Sequence, residues 1–93
     1  MAQAGRWDDA RAVAETIADP KERARALQEV AGALAQAGQW EEAQRTFAGA
    51  RAVAEAIADP SQRAWALRDV AGALARAGDT QAAQATFATA RAA

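Results

Sequence analysis

The sequence predicts an all-α protein, an α-solenoid built from five helices in antiparallel hairpins. Three observations lead there. Alanine, the strongest helix former, supplies 32 of the 93 residues, whereas Val, Ile, Leu, Met, Phe and Trp together supply 16. Apolar residues recur at steps of three and four: Trp40, Ala43, Phe47, Ala50, Ala54 and Ile57 share one helical face. The chain also repeats itself. Residues 10–20 and 50–60 differ only at Thr16 against Ala56, and residues 24–38 match residues 64–78, at an offset of 40 in both cases. A hairpin with one apolar stripe too many buries it by stacking on the next hairpin.

The punctuation places the helices near 7–18, 20–37, 40–58, 60–77 and 80–92. Asp19-Pro20 and Asp59-Pro60 are start signals: Asp caps, and Pro at the first helical position forfeits no hydrogen bond. Glu22 and Gln62 stand where a capping box would return a bond to the cap amide. Gly5, Gly38 and Gly78 stand where a helix would end in the left-handed conformation, and Asp79 can cap the last helix. AQAGRW at the N-terminus matches AQAGQW at an offset of 33, which makes the first helix seven residues shorter than the long one. Leu27, Val30, Ala31 and Leu34 on the second helix, and Leu67, Val70, Ala71 and Leu74 on the fourth, form one repeated face that should meet Trp40, Ala43 and Phe47. The domain is expected to span 1–93, as a half-repeat 1–19, a repeat 20–59 and a partial repeat 60–93.

Several function classes are disfavoured. Net charge is −1 with the two signs interspersed, so the basic stripe that nucleic acid needs is missing. No apolar run nears the roughly 20 residues of a membrane span, and the N-terminus lacks the order of a signal peptide; a cytoplasmic location is expected. The chain has no Cys, His or Tyr, and its only Ser is Ser61 in a helix start. No constellation for nucleophilic or acid–base catalysis follows. No enzyme activity, cofactor or metal site is therefore expected. The acidic doublets Asp8-Asp9 and Glu41-Glu42 are read as first-turn residues that favour the helix dipole.

Leu27, Val30, Ala31, Leu34, Gly38, Trp40, Ala43, Phe47 and Ala50, with Leu67, Val70, Ala71, Leu74, Gly78, Ala83, Phe87 and Ala90, fall at the spacing of the tetratricopeptide repeat. From about residue 20 onward the chain resembles that family, with a period of 40 in place of the usual 34, similar to the long-helix repeats of kinesin light chains. Thr80 replaces the aromatic seen at Trp40, and Ala14 replaces the Phe seen at Phe47. The resemblance implies a right-handed superhelical stack and a groove, lined by the first helix of each motif, that binds a protein or peptide. By position that groove would hold Arg25, Gln28, Glu29, Gly32 and Gln36, then Trp65, Arg68, Asp69, Gly72 and Arg76. Chaperone-type members grip a terminal carboxylate with Lys and Asn where this chain has Gln28/Arg68 and Gly32/Gly72, so that activity is not carried over.

Some of these residues have a plainer reading. Trp65 is either a groove anchor or a space-filling core residue. Gly32 and Gly72 are read first as sites of close helix packing and second as room for a ligand backbone. Trp7 and Trp40 are expected in the core at the hairpin turns. The ends of the stack offer Ala10, Val13, Ala14 and Ile17 on one side and Ala83, Phe87 and Ala90 on the other, with no polar capping helix. A homo-oligomer, most simply a dimer, is expected through Val13, Ile17, Ala83, Phe87 and Ala90. Two functions compete: a protein-interaction scaffold with a groove, and a recently duplicated or constructed self-assembling array without a separate ligand.

Overall fold

Caps and stops place five helices: α1 (Ala2–Glu15), α2 (Pro20–Gln36), α3 (Trp40–Glu55), α4 (Pro60–Ala77) and α5 (Thr80–Ala92). The computed structural model describes the backbone of residues 2–92 and the side chains of residues 7–92. Asp19 Oδ1 accepts a hydrogen bond from the Lys21 amide at 2.9 Å. Asp59 Oδ1 accepts from Ser61 and Gln62 at 2.8 and 3.1 Å, and Asp79 Oδ1 accepts from Ala82 at 3.1 Å. Among the described residues, neither Glu22 nor Gln62 returns a bond to its cap amide, so these are single caps and not boxes. Arg63 Nη1 instead donates to the Ile57 carbonyl at 2.9 Å, tying the start of α4 to the end of α3.

The stops come in two kinds. Gly38 and Gly78 have φ of +84° and +97°. The amides after them reach back to Leu34 and Leu74 carbonyls at 2.9 and 3.0 Å, closing the last turn of α2 and α4. α1 and α3 end without glycine. Their last turns tighten through Ile17→Ala14 and Ile57→Ala54 backbone bonds, each 3.2 Å, before Asp-Pro starts the next helix.

The helices form two layers, α2 and α4 in one, α1, α3 and α5 in the other. α2 pairs with α3, α4 pairs with α5, and α4 also leans on both α2 and α3. α1 lies on α2 as α3 lies on α4. The Cα trace measures 41 × 29 × 13 Å; its thinnest dimension is that of two helix layers roughly 9 Å apart. The seams are alanine. Ala31, Ala43, Ala50, Ala54 and Ala71 are completely buried, and Phe47, Leu67 and Val70 fill the space beside them. Thr46 and Thr86 are buried too, their hydroxyls donating to the Glu42 and Ala82 carbonyls at 2.9 and 2.8 Å. No helix in the described residues is long and apolar enough to cross a membrane.

Several expectations at the N-terminal side and the hairpin turn need correction. α1 is helical straight through Gly5, which therefore ends nothing, and it stops at Glu15, as α3 stops at Glu55. The ends of α1 and α3 therefore lie 40 residues apart, and the segment that the offset of 33 set at a turn is helix. Under the offset of 40 Trp7, not Ala14, stands in for Phe47, and Trp7 packs against the main core cluster half-buried. Asp8 and Asp9 lie mid-helix, not in a first turn; Asp8 instead pairs with Arg11 at 3.3 Å, and Arg11 also reaches Glu42 at 3.3 Å. Trp40 is 37% exposed rather than core. It is the first residue of α3, beyond the end of α2, so only part of the ring finds neighbours.

Phe47 and Phe87 are one repeat position with different cover, 2% and 37% exposed. Phe47→Ala is expected to destabilise the chain by roughly 3–5 kcal/mol and Phe87→Ala by roughly half of that or less, measured by urea unfolding. Equal losses would mean that α4 does not pack over Phe47. Gly78→Ala should cost about 1–2 kcal/mol from left-handed strain alone, in the same assay.

Candidate functional site

The surface of the layer holding α2 and α4 is where the predicted groove residues gather. Asp19 and Asp59 fix the starts of these helices and Gly38 and Gly78 their ends, so α2 and α4 run side by side with a cleft between them. Its narrow end, about 100 Å³, is lined by Lys21, Glu22, Ala24, Arg25, Gln28, Trp65, Ala66 and Asp69. Its broad end, about 460 Å³, is lined by Gln28, Glu29, Gly32, Ala33, Ala35, Gln36, Ala73, Arg76 and Ala77. Gln28 lines both ends. Of the predicted groove residues, Arg25, Gln28, Glu29, Gln36, Trp65, Asp69 and Arg76 are brought together here. Arg68 is not. It faces the other side of α4, beside Gln84, Phe87, Ala90 and Arg91.

Trp65 is 63% exposed, which removes its space-filling reading. Gly32 does not serve close packing either: a Cβ added there meets nothing within 4 Å, and one added at Gly72 meets only Arg76 Nη1 at 3.9 Å. Gln28 Oε1 is buried and accepts no hydrogen bond. The charged residues of the cleft, Lys21, Glu22, Arg25, Glu29, Asp69 and Arg76, are three of each sign. The ion pairs among the described residues lie instead on α1 and α3: Arg11 with Asp8 and Glu42, Arg45 with Glu42 at 3.0 Å, and Arg51 with Glu55 at 3.4 Å. Among the described residues, the charged side chains of the cleft take part in none of these ion pairs. Among the described residues no group of three His, Cys, Asp or Glu side chains converges as a metal site would require.

Lys21, Glu22, Ala73 and Ala77 line the cleft without having been singled out in the sequence. Their signal was helical spacing: Lys21 lies four residues before Arg25, and Ala73 and Ala77 lie four and eight after Asp69. The predicted self-association set divides. Val13 is 66% and Phe87 37% exposed, and Ile17 is half-buried. Ala83 and Ala90 are 2% and 5% exposed, because α5 turns them onto the core of its own chain.

The profile of a family described as the tetratricopeptide repeat matches residues 22–93. Comparisons with curated proteins and with solved structures give no match. The profile spans α2 to α5, which are the helices whose caps, small-residue seams and open cleft are described above. On these grounds the chain belongs to the tetratricopeptide-repeat family.

Proposed function

We propose that this chain is a scaffold that receives a segment of a protein or peptide partner in the cleft between α2 and α4. Tetratricopeptide repeats are in general non-catalytic modules of protein–protein interaction, and the cleft residues suit that role. The observation that carries the proposal is Trp65, a ring 63% exposed at the mouth of a cleft whose charges form no ion pair among the described residues. An aromatic anchor ringed by polar groups is the usual composition of a binding hot spot. The presence of both signs, Arg25 and Arg76 against Glu29 and Asp69, favours a partner carrying both signs of charge over a uniformly acidic tail. Gln28 Oε1 would accept a donor from that partner, and the open space above Gly32 admits its backbone.

Self-association is the second reading, favoured by the exposure of Val13 and Phe87 at opposite ends of the stack. A dimer is its simplest form. Sedimentation equilibrium decides it: a mass near twice 9.7 kDa at high concentration supports the dimer, and a strict monomer removes it.

Capture from a cell extract, followed by a titration of the captured partner, tests the cleft. Trp65→Ala should weaken that partner's affinity by about tenfold or more, while Arg68→Ala, on the other side of α4, should leave it within about twofold. Loss with Arg68→Ala and not Trp65→Ala would move the site off the cleft. Gly32→Ala should raise stability by about 1 kcal/mol in urea unfolding, since a methyl group meets nothing there. The same substitution should weaken partner binding; a stabilised variant that binds unchanged would show that no backbone seats at Gly32.

A further inference from the structure

The cleft carries a definite order of charge. α2 and α4 both start at its narrow end and finish at its broad end. At the narrow end Arg25 of α2 shares the cleft with Asp69 of α4. At the broad end Glu29 of α2 shares it with Arg76 of α4. The sign therefore reverses along each wall: plus then minus on α2, minus then plus on α4. Arg25, Glu29 and Arg76 are exposed and Asp69 is half-buried. None of the four is in an ion pair among the described residues. Lys21 and Glu22, the other charges of the cleft, are adjacent and of opposite sign.

Spacing fixes how a partner can meet this order. Arg25 and Glu29 are four residues apart, a rise of about 6 Å along α2. The Arg76 guanidinium folds back along α4, where a Cβ added at Gly72 would lie 3.9 Å from its Nη1. Its charge thus stands one turn nearer to Asp69 than its backbone does. An extended chain advances about 6.6 Å in two residues and turns successive side chains to opposite sides. Two side chains toward α2, alternating with two toward α4, then reach all four charges. A helix, about 10 Å across, is too thick for a narrow end of about 100 Å³. Between the two charge pairs the buried Gln28 Oε1 would accept a backbone N–H of such a segment.

We propose, resting on the reading of this cleft as a peptide site, that its partner is an extended segment with successive side chains acid, base, base, acid. The first acid meets Arg25, the first base Asp69, the second base Glu29 and the last acid Arg76. An apolar side chain just before the first acid falls on Trp65, which precedes Asp69 by four residues on the same wall. The order of signs is the same in both chain directions, so the apolar residue alone sets the direction.

The probe is a labelled peptide with the core Leu-Glu-Lys-Lys-Glu-Leu, which is palindromic and so serves either direction. Its control, Leu-Lys-Glu-Glu-Lys-Leu, has the same composition. Fluorescence anisotropy with the full chain at low salt should show about tenfold tighter binding of the first. Exchanging the four charges of the chain (Arg25→Glu, Glu29→Arg, Asp69→Arg and Arg76→Glu) keeps its net charge and should reverse the preference. Circular dichroism checks that this variant keeps its helices; if it does not, the preference of the unaltered chain carries the test. Equal affinity for the two peptides, or none for either at millimolar concentration, would overturn the proposal. Peptides that bind alike and are both weakened by Trp65→Ala would remove the order of charge and leave the cleft as the site. Peptides indifferent to Trp65→Ala would remove both.

Discussion

Close approach of helices through alanine is the constraint from which the rest of this structure follows. With so few large apolar side chains, the chain cannot fill wide gaps between helices. It removes the gaps instead. Ala31, Ala43, Ala50, Ala54 and Ala71 are at zero exposure, and helices that meet through methyl groups lie near the lower limit of interaxial distance. A few large residues, Phe47, Leu67 and Val70 among them, then suffice for the remaining volume. The arrangement is intolerant, since an interior this dense has no room for added methylenes. Even the buried Thr46 and Thr86 fit only because their hydroxyls fold back onto their own helix.

That constraint also shapes the surface. Short turns and alanine seams hold α2 and α4 side by side, so Arg25 and Gln28 of α2 meet Trp65 and Asp69 of α4 across a cleft. The repeats diverge along this layer, Arg25 against Trp65 and Gln28 against Arg68, while the seam positions are kept. Ion pairing is concentrated on the outer layer around Glu42 and Glu55, where such pairs add little stability. The cleft keeps its charges and its tryptophan unengaged.

Translation by one repeat distinguishes what the sequence position dictates from what the neighbours dictate. Val30 is half-buried and Val70 fully buried; Phe47 is covered and Phe87 is not. Identical residues in identical local structure differ because a helix lies beside one and none beside the other.

The sequence by itself determined the local structure from α2 onward. Asp-Pro starts, glycine stops and apolar steps of three and four are short-range signals, and they located α2 to α5 to within about three residues. It also determined that hairpins stack, because the stripe 67–70–71–74 has no other way to leave water. It misplaced α1, since the glycine at position 5 resembles those at 38 and 78, and nothing local separates a glycine inside a helix from one that ends it. Only the tertiary structure decided which repeated positions are inside. Trp40 and Trp65 proved exposed, Ala83 and Ala90 buried, and Arg68 turned away from the cleft. Helical periodicity gives the angle of a side chain about its own axis; burial depends on which neighbour occupies that direction, and that is set by packing between repeats.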